Sequence, residues 1–197
     1  MSGDDASTGF QKTVDSTGDP YEDFPEDQSK DGDYKGPEIV KIANELKDFG
    51  NKAFKGGDLN LGLEKYQKGL RYLNEYPTAM DEDPPETAQQ LTTIRFALRS
   101  NSALLQIKLK AFEDARRSAS HALELEKIPD ADRAKALYRR ALAYVSLKDD
   151  EEATKDLQSA SKLAPSDPAV AKELAIVKKR AADHAKKEKA AFKKFFD

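Results

Sequence analysis

Residues 134–165 read AKALYRRALAYVSLKDDEEATKDLQSASKLAP, and the spacing of the small residues in this stretch decides the fold. Counted from Ala134 as position 1, alanines occupy positions 8, 20 and 27, and a proline occupies position 32. Small side chains at these intervals allow two helices, and the first helix of a following pair, to pack closely. The stretch therefore predicts an antiparallel helix pair that belongs to a repeating unit.

The same three small positions recur in two upstream copies, which start at Ala43 and at Phe96. In these copies the small positions hold Gly50, Gly62 and Gly69, and Ala103, Ala115 and Ala122. The copies are unevenly spaced because an acidic, proline-bearing insertion at residues 76–85 separates the first from the second. We expect this insertion to lengthen the flanking helices and to add an exposed loop, since each repeat packs only on its neighbours.

Small residues at positions 8, 20 and 27 with a closing proline are similar to the pattern of tetratricopeptide repeats (TPRs). This resemblance implies an all-α fold of three repeats, each an antiparallel helix pair, wound into a right-handed superhelix and followed by a long C-terminal helix. The TPR domain is predicted at 37–167, and the repeats are predicted near 43–76, 96–129 and 134–167.

The two ends of the chain have opposite charge. The first 35 residues contain ten acidic residues and three lysines, whereas the remainder contains 30 basic and 26 acidic residues, a net charge of +4. Residues 1–36 are poor in branched apolar side chains and cannot bury enough surface to offset chain entropy. They are therefore predicted to be an acidic disordered arm.

Residues 168–197 are predicted to form a C-terminal helix that both caps the array and carries basic charge. Its first half contains Val170, Leu174, Ile176 and Val177, which are expected to cover the apolar end of the last repeat. Its second half, 178–197, is rich in lysine and ends with spaced phenylalanines. Three interpretations stay open for this half: a solvated helix end, a calmodulin target, or a contact with another anionic surface.

Composition and spacing exclude several classes of function. The chain has no cysteine, so disulfides and thiolate chemistry are absent. His121 and His184 have no partner at metal-ligand spacing, and no glycine-rich phosphate loop or catalytic triad is found. The sequence therefore predicts no catalytic residue, no metal and no cofactor. No segment resembles a signal peptide or a membrane span, so we expect a cytoplasmic protein without membrane or nucleic-acid partners.

In a repeat array of this kind, the first helix of each repeat lines the concave surface. The candidate binding residues on these helices are Lys47, Asn51, Asn101, Lys135 and Arg139. No acidic residue is among them, so a shared positive potential is expected. A groove with this potential suits a ligand with closely spaced carboxylates, such as a C-terminal aspartate. The amides add hydrogen-bond donors without charge.

These residues, within LKDFGN at 46–51 and KALYRRA at 135–141 and with Asn101, resemble the carboxylate clamp of chaperone-binding TPR domains. The resemblance implies binding of the Glu-Glu-Val-Asp terminus of cytosolic heat-shock chaperones, the 90-kDa class first and the 70-kDa class second. It also implies that Lys47, Asn51 and Asn101 hold the terminal carboxylate. By the same resemblance, Lys135 holds the aspartate side chain, and Arg139 supports the preceding backbone or glutamate.

Further segments resemble the TPR half of the forty-kilodalton cyclophilins, the peptidyl-prolyl isomerase D family. They are YEDFPED at 21–27, KGLRYL at 68–73 and KAAF at 189–192 with Phe195 and Phe196. The isomerase domain of that family does not fit into the short segment before the first helix. The chain is therefore predicted to be a co-chaperone adaptor and not an enzyme. The alternatives are a part of a peptidyl-prolyl cis-trans isomerase, or a calmodulin- or polyanion-binding helix module.

Overall fold

The computed structural model of the chain describes residues 34–196, apart from the side chains of residues 184, 185, 190, 191 and 193–196. Over this range the chain forms seven α-helices and no strand. The helices are α1 (Gly36–Lys55), α2 (Leu59–Glu75), α3 (Thr87–Lys108), α4 (Phe112–Leu123), α5 (Asp130–Ser146), α6 (Asp150–Leu163) and α7 (Pro168–Phe196). Most of the predicted acidic arm, the YEDFPED segment and the side chains of His184, Phe195 and Phe196 lie outside the described residues.

The helices pack in successive pairs. Helices α1 and α2, α3 and α4, and α5 and α6 form the three pairs, and α7 packs on α6. The first helices of the pairs, α1, α3 and α5, also contact one another in order. This arrangement confirms the prediction of an all-α array of three TPRs followed by a long helix.

The small residues lie where the helices approach most closely. A Cβ atom added to Gly50 of α1 would lie 2.4 Å from the ring of Tyr66 in α2. One added to Gly69 would lie 2.9 Å from a methyl group of Leu98. In the third repeat Ala141 and Ala160 are fully buried at the same positions. Steric exclusion at these positions is therefore the physical basis of the repeat pattern.

The insertion lengthens α3 and adds a loop. Helix α3 begins at Thr87, nine residues before Phe96, and the preceding residues 77–86 are mostly exposed. The loop is also anchored, because the side chain of Asp83 accepts hydrogen bonds from the hydroxyl of Tyr76 (2.6 Å) and the backbone N–H of Met80 (2.8 Å). The predicted lengthening and exposure are thus observed, together with an anchor that the sequence did not indicate.

Helix α1 begins at Gly36, one residue inside the segment predicted as the arm. Two contacts satisfy N–H groups at its start: the Lys35 N–H donates to Glu38 Oε2 (3.0 Å), and the Gly36 N–H donates to Asp83 Oδ1 (3.2 Å). Because the first N–H groups of a helix have no partner within the helix, these contacts favour a start at this point. The second contact comes from a residue distant in the chain.

Helix α7 covers the end of the array with one stripe of side chains. Val170 and Val177 are buried against the third repeat, and Leu174 is partly buried beside them. Ile176 differs from the sequence prediction, because 46% of its surface is exposed. Residues 170, 174 and 177 follow the helical spacing of one face, and residue 176 lies off that face. No helix within residues 34–196 combines the length and apolar character needed to cross a bilayer.

Candidate carboxylate-binding groove

The five predicted groove residues lie on the first helices of the three repeats. Lys47 and Asn51 are on α1, Asn101 is on α3, and Lys135 and Arg139 are on α5. Lys135 is exposed, and the other four are half-buried. Since α1, α3 and α5 are neighbours, residues separated by up to 92 positions in the chain share one face of the array.

Two asparagines and one arginine converge at the centre of this face. The hydroxyl of Tyr66, in α2, donates a hydrogen bond to Oδ1 of Asn51 (2.7 Å). Arg139 donates from its guanidinium to Oδ1 of Asn101 (3.4 Å). Asn101 also hydrogen-bonds the Tyr66 hydroxyl. Side chains from α1, α3 and α5 therefore form one polar network with Tyr66 beneath them.

Arg139 is held in this network by neutral groups. Its guanidinium donates to the hydroxyl of Ser100 (2.5 Å), whose side chain is 1% exposed, as well as to Asn101. Burial lowers the pKa of Arg139 to about 10, although Tyr66 and Asp132 act in the opposite direction. The guanidinium is therefore charged at neutral pH. Because its hydrogen-bond partners are neutral, they hold it in place without cancelling its charge.

Lys47 and Lys135 lie one helical turn from Asn51 and Arg139, outside the central network. Lys47 donates to Oδ1 of Asn44 (2.8 Å) and lies 3.9 Å from a carboxylate oxygen of Asp48. Lys135 donates to the carboxylate of Asp132 (3.0 Å). Both lysines therefore have an acidic neighbour outside the predicted set, since Asp132 is three residues before Lys135 and reaches it within the same helical turn.

These two ion pairs leave the lysines available to a ligand. The side chains of Lys135 and its partner Asp132 are 54% and 36% exposed. Lys47 is 25% exposed, and its partner Asp48 is 66% exposed. Ion pairs between exposed groups contribute little net free energy, because water competes for both partners. A ligand carboxylate with further contacts to the central network can therefore replace either acid.

Two clefts extend the groove toward the N-terminal ends of these helices. A cleft of about 260 Å³ lies between α1 and α3, and its lining includes Asn44, Lys47 and Gln90. A smaller cleft of about 60 Å³ lies between α3 and the start of α5, and its lining includes Gln89 and Asp132. Both are lined in part by the extension of α3 before Phe96, which follows the insertion.

Sequence reasoning missed Tyr66, Ser100 and Asp132. Tyr66 occupies position 24 of the first repeat, where the third repeat has the buried Leu157. A tyrosine at a core position carries a hydroxyl that needs a hydrogen-bond partner, and this was a usable signal. Asp132 gave a signal as well, because an acid three residues before a lysine on a helix can pair with it. Ser100 gave no comparable signal, because its role depends on the contact with Arg139 of α5.

The chain is similar to fungal proteins named peptidyl-prolyl cis-trans isomerase D. It is 39% identical over 183 residues to one from Cryptococcus neoformans var. neoformans serotype D, covering 91% of this chain and 49% of that protein. It is 36% identical over 198 residues to one from Mycosarcoma maydis, covering 92% of this chain and 50% of that protein. No family model matches the chain.

Solved structures with a similar fold are TPR domains. The C-terminal TPR-containing domain of a Plasmodium falciparum FK506-binding protein has a TM-score of 0.68 and 25% identity, covering 78% of this chain and 97% of that one. The first TPR domain of Spaghetti (RPAP3), bound to the HSP90 peptide SRMEEVD, has a TM-score of 0.57 and 26% identity, covering 73% of this chain and 95% of that one. The myosin chaperone UNC-45 from C. elegans, in complex with a Hsp90 peptide, has a TM-score of 0.60 and 30% identity, covering 76% of this chain and 15% of that one.

The chain spans about half the length of the curated relatives that it matches. The shared half is the one that folds as three TPRs, and the isomerase domain of those relatives is not within the 197 residues. The chain therefore corresponds to the TPR half of the peptidyl-prolyl isomerase D proteins and has the fold of TPR co-chaperone domains.

Proposed function

We propose that this chain is a co-chaperone adaptor that binds the acidic C-terminal tail of a heat-shock chaperone. The tail ends in Glu-Glu-Val-Asp, and we propose the 90-kDa class as the first partner and the 70-kDa class as the second. The clamp, defined as Lys47, Asn51, Asn101, Lys135 and Arg139, binds the terminal aspartate. The observation that carries the proposal is the convergence of Asn51, Asn101 and Arg139 from three helices.

The chemistry of this convergence fits a terminal carboxylate. A C-terminal aspartate carries two carboxylates close together, and the groove offers two lysines, one guanidinium and two amides. In the proposed complex, Lys47, Asn51 and Asn101 bind the α-carboxylate, and Lys135 binds the side-chain carboxylate. Arg139 supports the preceding residues. Each charge-assisted hydrogen bond contributes roughly 1.5–3 kcal/mol, and part of this is lost in ordering a flexible tail.

The similar structures of the first TPR domain of RPAP3 and of the myosin chaperone UNC-45, each solved with a Hsp90 peptide, support this proposal. Because the proposed partner is cytosolic, we also propose a cytoplasmic location for the chain. The name shared by the curated relatives favours one alternative, in which the chain acts as part of a larger peptidyl-prolyl isomerase and delivers it to chaperone-bound proteins. The calmodulin alternative for residues 178–197 gains no support from these relatives.

The deciding experiment compares one peptide in two forms. Ser-Arg-Met-Glu-Glu-Val-Asp is titrated by calorimetry as the free acid and as the C-terminal amide. The free acid should bind at least tenfold more tightly, because amidation removes the α-carboxylate and its charge-assisted hydrogen bonds. Equal affinity for the two forms would contradict a carboxylate clamp. A second titration with the HSP70 peptide Ser-Gly-Pro-Thr-Ile-Glu-Glu-Val-Asp tests the preference between the two chaperone classes.

Matched variants locate the site. Asn51→Ala and Lys135→Ala should each weaken binding of the free-acid peptide by about tenfold, because each removes one charge-assisted hydrogen bond. The controls are Asn60→Ala on α2 and Lys172→Ala on α7, which are exposed residues outside the clamp. Both controls should bind like the parent chain. Equal effects in controls and clamp variants would indicate a general charge or stability effect and would reject these site residues.

A further inference from the structure

The buried hydroxyl of Tyr66 lies directly behind the clamp. Tyr66 is 1% exposed, and its position on α2 places it outside the set of groove helices. Its hydroxyl donates to Oδ1 of Asn51 at 2.7 Å. An amide whose oxygen is occupied in this way presents its Nδ2–H groups on the opposite side. The hydrogen bond therefore decides which end of Asn51 a ligand meets.

Asn101 is oriented in a similar way from two sides. The Arg139 guanidinium donates to its Oδ1 at 3.4 Å, and its amide also hydrogen-bonds the Tyr66 hydroxyl. Since the amide nitrogen carries two hydrogens, one can be directed to Tyr66 and the other to a ligand. Both asparagines therefore depend on the same phenol.

Arg139 is the first donor of the network, and a further hydrogen bond holds its guanidinium in place. Its guanidinium donates to Ser100, which is buried on α3, so that α5 and α3 are linked beside the clamp. The donors then follow one direction, from Arg139 to Asn101, to Tyr66 and to Asn51. Hydrogen bonds in such a chain polarise one another, which strengthens the last donor in the series.

We propose that Tyr66 is a positioning residue of the carboxylate site, which orients the amides of Asn51 and Asn101 with their N–H groups toward the ligand. This inference rests on the proposed function. Without the hydroxyl, the Asn51 amide can rotate and present its oxygen, which repels a carboxylate, and Asn101 is oriented only by the longer contact with Arg139. Tyr66 thus contributes to binding from a buried position, without contacting the ligand itself.

The protonation state of Tyr66 supports this role. Burial raises the pKa of its phenol, and the Arg139 guanidinium and the hydrogen bond with Asn101 act in the opposite direction. The phenol is therefore neutral at physiological pH and can donate to Asn51 while it accepts from Asn101.

The test is the Tyr66→Phe variant, which removes the hydroxyl and keeps the buried ring. It should bind the free-acid peptide about fivefold more weakly, which corresponds to the loss of one ordinary hydrogen bond. Binding of the amidated peptide should not change. The control is Tyr76→Phe, because the Tyr76 hydroxyl is also hydrogen-bonded but its partner is Asp83 in the α2–α3 loop. This control should leave the affinity for both peptides unchanged.

A double-mutant cycle separates positioning from a general structural effect. In the Asn51→Ala background, Tyr66→Phe should weaken binding by only about twofold, because one of the two amides it orients is already absent. An undiminished fivefold loss in that background would overturn the inference. Unchanged affinity of the Tyr66→Phe variant would overturn the inference as well. In that case the proposed function would still stand if the parent chain binds the free acid more tightly than the amide.

The parent chain provides a readout that does not depend on the variant's folding. The side-chain Nδ2 resonances of Asn51 and Asn101 are followed by NMR during both titrations. We expect large shifts with the free-acid peptide and small shifts with the amidated one. If neither amide responds to a peptide that binds as the free acid, the amides do not face the carboxylate and the inference is wrong. If the parent chain does not distinguish the two peptides, the proposed function itself is wrong, and the inference with it.

Discussion

Arg139 and Arg140 are consecutive residues of α5 with opposite surroundings. Arg139 faces the groove and is held by the neutral groups of Ser100 and Asn101. Arg140 faces α6, where it forms two hydrogen bonds of 2.7 Å with the carboxylate of Asp156. Asp156 raises the pKa of Arg140 through this contact. Arg139 therefore has no carboxylate among these hydrogen-bond partners, whereas Arg140 connects two helices of the third repeat.

Asp156→Ala should destabilise the fold and leave the groove unchanged. Asp156 is 5% exposed, so its removal leaves the Arg140 guanidinium half-buried without its carboxylate. Loss of one partner from a buried ion pair costs roughly 3–5 kcal/mol, and about 3 kcal/mol is expected here because Arg140 retains some solvent contact. Urea denaturation measures the change in the free energy of unfolding, and peptide titration below the transition measures binding.

The neighbouring Lys155→Ala is the control for this prediction. Lys155 forms ion pairs with Glu151 and Glu152 on the exposed face of α6. Exposed pairs of this kind contribute little, so the unfolding midpoint should stay close to that of the parent chain. If Asp156→Ala also kept the unfolding midpoint of the parent chain, the contact between α5 and α6 would not depend on the Arg140–Asp156 pair.

At the scale of elements, a single carboxylate connects the start of α1, the end of α2 and the loop between α2 and α3. Asp83 accepts hydrogen bonds from Gly36, Tyr76 and Met80. Its pKa is lowered, first by the hydrogen bond from Tyr76 and next by that from the Met80 N–H. The insertion, which interrupts the repeat spacing, is in this way attached to the first repeat.

Asp83→Asn should lower stability in a pH-dependent manner. Because the folded-state pKa of Asp83 lies below its unfolded-state value, the ionised group stabilises the fold at pH values above the unfolded-state pKa of about 4. This contribution is lost as pH falls through the lowered folded-state value. The variant should therefore melt at a lower temperature than the parent chain at pH 7, and the difference should shrink as pH approaches 3.

Melting temperatures recorded from pH 7 to pH 3 check this expectation. Asp81→Asn provides the matched control, since Asp81 is an exposed residue of the same loop. It should melt like the parent chain at every pH. A constant difference between Asp83→Asn and the parent chain over the whole range would mean that the charge of Asp83 is not the source of its contribution.

At the scale of the whole folded unit, α7 covers the apolar end of the third repeat. Val170 and Val177 belong to the same core cluster as Leu157. Arg180 and Asp150 form an ion pair that connects α7 to the start of α6. Beyond Arg180, the described side chains of α7 are exposed. The two halves of the helix therefore have different environments.

Two adjacent substitutions test this description of α7. Val177→Asp places a carboxylate at a site with 0% exposure and should lower the free energy of unfolding by about 3 kcal/mol or more. Ile176→Asp makes the same chemical change at an exposed site and should change it by at most about 0.5 kcal/mol. Chemical denaturation followed by circular dichroism distinguishes the two. Equal tolerance of both changes would mean that α7 does not cap the array in solution.

The architecture could be predicted from the sequence by itself. The recurrence of small residues at three fixed positions, with the helical spacing of apolar residues, predicted the helix pairs and their order. The same periodicity assigned Lys47, Asn51, Asn101, Lys135 and Arg139 to the first helices of the repeats. Such assignments succeed because the geometry of a helix relates nearby residues to one face without any knowledge of distant contacts.

Only the tertiary structure decided which polar groups meet. Tyr66 is 15 residues from Asn51, and Arg139 is 39 residues from Ser100. The anchoring of Gly36 by Asp83 spans 47 residues. Contacts at these separations depend on how whole helices pack and on which rotamer each side chain adopts, and neither quantity is encoded in local spacing. For this reason the sequence predicted which helices carry these residues, whereas the hydrogen bonds among them became visible only in the folded chain.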